Sequence, residues 1–272
     1  MDTISIIYYS VVLMPTGLKI HISELQIQFW FAFFRLNQAL FYLKAMENKI
    51  IIPLDLDYQE AMKLAHLLDP KICRMKIGNQ LFTSSGPKVI KELQQDGFDI
   101  FLDLKFHDIP NTVHEAVKSA ADLGVWMVNV HASGGKQMLE ASKKALEHFS
   151  NPPLLIAVTV LTSLSKESLS DVGLDNLDDQ VLRLTSLAKD CGLDGVVCSS
   201  SDTASVKREF GEEFLAVTPG IRPSGSSSDD QRRVSTPYEA IKNGSDYLVI
   251  GRPITGSADP KRALEEIYKE IS

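Results

Sequence analysis

The run Asp103-Leu104-Lys105-Phe106-His107-Asp108 sets two carboxylates and an ammonium group within six residues. Asp103 and Lys105 are two apart, so an extended chain turns both to one face. Charges buried there are costly unless paired. One reading is a plain salt bridge that closes the fold. The other is an array of alternating carboxylates and ammonium groups. A carboxylate beside a substrate carboxylate disfavours the charged ground state. An ammonium group favours the carbanion left when CO2 departs, and can then protonate it. Such chemistry needs no metal and no organic electron sink. A second constellation suits an anion. Gly220 and Gly251 let backbone N–H groups approach closely, and Arg252 offers charge-assisted contacts.

These residues need a frame that brings distant segments together. From Met46 onward, short apolar runs alternate with amphipathic stretches. The runs are 50–56, 72–77, 98–104, 125–130, 154–161, 195–198, 214–217 and 247–250. Most are near-continuously apolar, which suits parallel strands covered on both faces. Val113, Ala116, Val117 and Ala120 form a helical stripe in 111–123, with Asn111 or the preceding turn as cap and Gly124 as stop. Gly86-Pro87 opens another helix, Gly192 ends a third and Asp259-Pro260 opens the last. Eight such units predict one α/β domain, a (β/α)8 TIM barrel over 46–272. Barrel chemistry sits at the C-terminal strand ends. Those ends carry Asp55, Lys76, Asp103, Lys105, His131, Thr162, Arg222 and Arg252. Ser224–Asp230 reads as a mobile loop over that face.

Composition narrows the partners. With 28 Lys+Arg against 35 Asp+Glu, the net charge of −7 argues against a general grip on nucleic acid. Cys73, Cys191 and Cys198 are too few and too scattered for a disulfide scaffold or a zinc cluster, and read as reduced thiols of a cytoplasmic protein. Residues 1–45 differ from the rest. They hold the cluster Phe29-Trp30-Phe31-Ala32-Phe33-Phe34 but no apolar run of the ~18–20 residues that crosses a bilayer. An amphipathic surface helix over 23–44 is one reading. The preferred reading is an upstream, dispensable extension, with the domain beginning at Met46.

The segment Phe101-Leu102-Asp103-Leu104-Lys105-Phe106-His107-Asp108-Ile109-Pro110-Asn111-Thr112 resembles the signature of the orotidine 5′-phosphate decarboxylase family, closest to its bacterial branch. So do Leu54-Asp55, Met75-Lys76-Ile77-Gly78, Leu161-Thr162-Ser163, Thr218-Pro219-Gly220-Ile221-Arg222, Asp230-Gln231-Arg232-Arg233 and Ile250-Gly251-Arg252-Pro253. The resemblance covers essentially all of 46–272, and residues 1–45 have no counterpart in it. It implies cofactor-free conversion of orotidine 5′-phosphate to UMP and CO2 in pyrimidine biosynthesis, with no metal.

Residue by residue, the resemblance implies that Lys105 is the proton donor to C6 and that Asp103 lies against the substrate carboxylate. Lys76 completes the array and contacts the ribose region, and Asp55 binds ribose or ring. Asp108, Ile109 and Thr112 reach into a neighbouring subunit's site, which implies a homodimer. Thr162 holds the pyrimidine. Arg222, Gln231, Gly251 and Arg252 lie on the phosphate side, with Gln231 on the loop 222–236. His107 and His131 read as supporting residues, Cys198 as core and Asp99 as a solvated side chain far from the catalytic rim. The nearest alternative is a related metal-dependent sugar-phosphate decarboxylase on the same barrel. A non-catalytic nucleotide-binding barrel and a membrane-attached form are more distant ones.

Overall fold

The computed structural model describes residues 48–164, 173, 176–223 and 234–272. The readings made for residues 1–45, for Ser224–Asp230 and for Gln231 lie outside them. Each of the eight apolar runs holds most of a strand, and β2, β3, β4 and β7 extend one or two residues past their runs: β1 (Ile50–Pro53), β2 (Arg74–Gly78), β3 (Ile100–Phe106), β4 (Met127–His131), β5 (Leu154–Val158), β6 (Gly195–Val197), β7 (Leu215–Thr218) and β8 (Tyr247–Val249). Each pairs in parallel with the next, and β1 pairs with β8 through Ile50↔Leu248 and Ile51↔Val249, closing the barrel.

The apolar runs are continuous because both strand faces are covered. Ile51, Phe101, Met127, Ile156, Val217 and Val249 fill the barrel interior. Ile50, Ile52, Ile100, Leu102 and Val128 point the other way, into the layer beneath the helices. Gly195 opens β6 because a Cβ there would lie 2.3 Å from the Leu215 carbonyl oxygen. Only a residue without a side chain lets β6 and β7 pair at that point.

Helices α1 (Tyr58–Ala65), α2 (Asn79–Ser85), α3 (Lys88–Gln95), α4 (Pro110–Asp122), α5 (Lys136–Lys144), α6 (Leu177–Asp190), α7 (Ser200–Phe210), α8 (Pro237–Lys242), α9 (Arg252–Thr255) and α10 (Pro260–Ile271) follow the strands. Their ends show where local chemistry decides. β1 stops at Pro53, short of the predicted Leu56, as the chain turns for the Asp57 carboxylate to cap α1 by accepting from Glu60 N–H at 2.9 Å. β5 stops at Val158 rather than Leu161, and Leu161 instead accepts a turn hydrogen bond from Leu164 N–H. In α4 the cap is Ile109, in the preceding turn, rather than Asn111. Pro110 takes the first helical position, where a missing N–H is harmless. The buried stripe of α4 is Val113, Val117, Ala120 and Ala121, with Ala116 half-buried at its edge. Asp259 caps α10 as its sequence predicts, accepting from Arg262 N–H.

Polar groups close the N-terminal mouth. The Arg74 guanidinium lies 4.2 Å from the Trp126 ring centre and 5.5 Å from that of Tyr247. It also donates to the Asn48 carbonyl and to Asp99 Oδ2 at 3.2 Å. Asp99 is thus far from the catalytic rim, as expected, but it is an ion-pair partner rather than a merely solvated side chain. Nearby, Lys207 is 5% exposed, and its Nζ donates to the carbonyls of Glu212 and Phe214 and to Asp246 Oδ2 at 2.7 Å. Asp246 Oδ2 also accepts from Ala216 N–H, so this pair ties α7 to β7 and to the start of β8. Among the described residues no helix is long and apolar enough to cross a membrane.

Removing one partner of a buried pair leaves the other uncompensated. Lys207→Met is therefore expected to lower the unfolding free energy by about 2–4 kcal/mol. Urea titration measures this, and a loss under about 1 kcal/mol would show that the carbonyls and Asp246 find water instead.

Candidate active site

The C-terminal strand ends surround a cavity of about 590 Å3. Phe101, Val158, Val160, Val197 and Val249 give it apolar walls. The charged side chains enter from two sides. Asp55, Lys76, Asp103 and Lys105 come from β1, β2 and β3 or the turns after them, and Arg222 and Arg252 follow β7 and β8. Thr162 lines the cavity beyond β5, and Gly220 and Gly251 expose backbone on the arginine side. Eight of the sequence-predicted site residues thus meet in one place: Asp55, Lys76, Asp103, Lys105, Thr162, Arg222, Gly251 and Arg252.

Asp103 is the centre of the charged group. Its side chain is 10% exposed. Oδ2 lies 3.0 Å from Lys76 Nζ, and Oδ1 lies 2.6 Å from Lys105 Nζ. Lys76 also reaches Asp55 Oδ1 at 3.5 Å. The order around the site is carboxylate, ammonium, carboxylate, ammonium. Burial alone would raise the Asp103 pKa, but Lys76, Lys105 and the hydrogen bond from Asn129 outweigh it and bring it down to about 2. Burial likewise works against a charged Lys76, and the carboxylates of Asp103 and Asp55 overcome it and hold its pKa above the usual lysine value.

The route by which Lys105 reaches Asp103 differs from a plain extended strand. β3 advances four residues, from Leu102 to Phe106, while β4 advances two, from Val128 to Val130. Within this bulge Lys105 adopts φ +52°, a left-handed conformation that costs a non-glycine residue about 1–2 kcal/mol. The spacing of two therefore predicts the right neighbour, but the bulge is what aims the ammonium group. Asn129 compensates the broken ladder. Its Oδ1 accepts from Lys105 N–H at 2.8 Å, and its Nδ2 donates to Asp103 Oδ1 at 2.7 Å. Sequence reasoning passed over Asn129. Its signal was a lone amide in the apolar run 125–130.

Asp108, Ile109 and Thr112 do not line this cavity. They are exposed at the β3–α4 junction, where Ile109 is 66% exposed and Asp108 Oδ1 accepts from Ile109 N–H. The His107 and His131 rings lie 5.4 Å apart beside the site. Burial, with His107 and Lys105 nearby, lowers the His131 pKa. On the anion side, Gly220 has φ +80°, and the chain beyond it is anchored by an Ile221–Ser235 bridge with Arg222 N–H donating to the Ser235 carbonyl at 2.9 Å. Arg222 is 9% exposed, and its Nη1 donates to the Ile221 carbonyl, which holds the guanidinium close to its own backbone. Cys198 is core, as expected, and all three cysteines are buried thiols.

The comparisons with known proteins agree with this geometry. The model of the "Orotidine 5'-phosphate decarboxylase / HUMPS family" matches residues 48–267. The orotidine 5'-phosphate decarboxylase of Saccharophagus degradans is 57% identical over 228 residues, covering 83% of this chain and 96% of that protein. That of Vibrio campbellii is 54% identical over 230 residues, covering 84% of this chain and 99% of that protein. The crystal structure of orotidine 5'-phosphate decarboxylase from Lactobacillus acidophilus superposes with a TM-score of 0.73 at 40% identity, covering 83% of this chain and 99% of that one. A barrel that carries Asp103 and Lys105 on its third strand and Asp108 just after it, matched over nearly the whole length of such relatives, leaves one assignment: the chain belongs to the orotidine 5'-phosphate decarboxylase / HUMPS family.

Proposed function

We propose that the chain converts orotidine 5′-phosphate to UMP and CO2, with Lys105 as the proton donor. The observation that carries this reading is Asp103 held between two ammonium groups at the edge of an apolar cavity, with two arginines on its other side. Relatives named orotidine 5'-phosphate decarboxylase at 54–57% identity support it over a sugar-phosphate decarboxylase.

The steps follow from charge. Arg222, Arg252 and the backbone at Gly220 and Gly251 hold the phosphate. Thr162 faces the pyrimidine, and Asp55 and Lys76 face the ribose. The substrate carboxylate then lies against Asp103, where two like charges repel. Breaking the C6–carboxylate bond releases neutral CO2 and leaves the electron pair on C6. The repulsion disappears, and the Lys105 ammonium now faces a carbanion. Its N–H bond breaks as the C6–H bond forms, giving UMP, and the neutral amine recovers its proton from solvent. Stabilisation that grows along this path lowers the barrier, whereas equal binding of substrate and transition state would not.

A divalent cation fits this site poorly. Both oxygens of Asp103 face ammonium groups, which would compete with the metal for them. We therefore route no step through a metal. We further propose a homodimer in which Asp108, Ile109 and Thr112 complete the neighbouring copy's site. Their exposure and absence from their own cavity support this. The barrel from Met46 onward carries the activity in this reading. Three scattered, buried thiols fit a reducing compartment, the cytoplasm.

Turnover is read from the loss of orotate absorbance. The protein beginning at Met46 is expected to match the full chain with chelator present, while Lys105→Ala loses at least about 10^3-fold in kcat. Chelator-sensitive turnover would favour the sugar-phosphate reading, and near-normal Lys105→Ala would remove its role. Activity confined to the full chain would make residues 1–45 a working part. A separate experiment tests sharing. Mixed Asp108→Ala and Lys105→Ala subunits should recover about a quarter of wild-type activity, because one site of each heterodimer carries both lesions and the other neither. No recovery after confirmed subunit exchange would place Asp108 in its own chain's site.

A further inference from the structure

We infer that Asn129 is a positioning residue, one amide that sets both the Asp103 carboxylate and the Lys105 backbone. The inference rests on the decarboxylase reading above and adds a residue that does not line the cavity. Asn129 is 0% exposed, on β4 directly behind the charged group. The bulge in β3 removes the ladder partners that a regular strand would give residues between Leu102 and Phe106. The Asn129 side chain stands in for one of them by accepting Lys105 N–H at 2.8 Å. Its other end donates to Asp103 Oδ1 at 2.7 Å, the same oxygen that Lys105 Nζ approaches at 2.6 Å.

The two contacts fix the amide's orientation. An N–H donor faces one end and a carboxylate acceptor the other, so the flipped amide would lose both bonds. The consequence is geometric coupling. Asp103 cannot rotate without losing a donor, and Lys105 cannot leave its left-handed conformation without burying an unpaired N–H. Aspartate, leucine, serine and alanine each lack at least one half of this function. The charged and titratable groups that face this point are Asp103, Lys105 and His107 from β3 and its end, His131 at the end of β4, and Lys76 and Asp55 from β2 and β1 beyond Asp103.

The test compares wild type, Asn129→Ala and Asn129→Asp in the full chain, with folding checked by circular dichroism and melting. Asn129→Ala is expected to lower kcat about 10–100-fold, the cost of misplaced reacting groups. Its affinity for UMP should stay within about three-fold, because the phosphate and pyrimidine contacts are untouched. Asn129→Asp keeps the shape and the acceptor for Lys105 N–H but sets a second carboxylate against Asp103. One proton shared by the two restores the lost donor. Its kcat should therefore fall as pH rises through an ionisation between about 5 and 8 that wild type lacks.

A folded Asn129→Ala with kcat within about three-fold of wild type overturns the proposal. So does an Asn129→Asp profile parallel to wild type, and so does failure of both variants to fold, which would assign Asn129 to the fold alone. A wild type that does not decarboxylate overturns the function reading instead. The positioning claim is then decided by carbon NMR titration of Asp103, whose pKa should rise from about 2 by roughly one unit in Asn129→Ala and stay in place if the amide does not hold it.

Discussion

A carboxylate at the rim of a closed barrel survives only where its neighbours make ionisation cheaper than neutrality. Asp103 meets that condition through three contacts from three strands: Lys76 on β2, Lys105 on its own β3 and Asn129 on β4. Removing any one takes away part of what compensates a buried charge. The register of three adjacent strands is thereby tied to one functional group. Met75↔Ile100 through Gly78↔Asp103 sets Lys76 against Asp103. A one-residue slip would turn Lys76 to the helix side, into apolar packing.

The two mouths of the barrel divide the work. At the N-terminal end, Arg74 with Trp126, Tyr247 and Asp99, and Lys207 with Asp246, satisfy their polar groups against one another. Those two cations spend their donors on the fold. At the C-terminal end the same barrel carries a strained residue and a cavity whose apolar walls are edged by charged side chains. Lys105 at φ +52° is tolerable because Asn129 on β4 takes its N–H and Asp103 holds its ammonium group. Strain there gives an ammonium group whose position is set before substrate arrives, so little reorganisation accompanies the charge change.

Much of this was legible in the residue pattern, for physical reasons. Parallel strands buried on both faces must be apolar at every position, so eight runs announced eight strands. Glycines and prolines marked helix ends because few residues fit there. The spacing of Asp103 and Lys105 marked the array because charges in an apolar run are costly unless they hold each other or a ligand. Other features were hidden. The bulge at Lys105 has no glycine to betray it, since the Asn129 side chain substitutes for the missing ladder bond. Asn129 itself is a single amide among valines, and its meaning depends on a neighbour 24 residues earlier. The ends of β1 and β5 were overrun because Leu54, Leu56 and Leu161 stay apolar after the pairing has stopped. The exposure of Ile109 is likewise a property of the folded surface, which periodicity within one chain does not encode.

Net charge misleads at this scale. The chain is −7 overall, yet its cavity gathers Lys76, Lys105, Arg222 and Arg252 against Asp55 and Asp103. Field in a cleft follows the nearest groups, so the proposed substrate, with its dianionic phosphate and carboxylate, would meet a cationic site on an acidic protein. The arrangement also separates binding from chemistry. The arginines lie on the side of β7 and β8, and Asp103 with Lys105 lies on β3. Attraction at the phosphate end can therefore hold a substrate whose other end is repelled. In the proposed reaction that repulsion is relieved only as CO2 leaves, which would convert the grip on the phosphate into a lower barrier rather than a tighter ground state. The Asp103–Lys105 pair matters for that reason: a carboxylate alone would only weaken binding, and an ammonium group alone would only strengthen it.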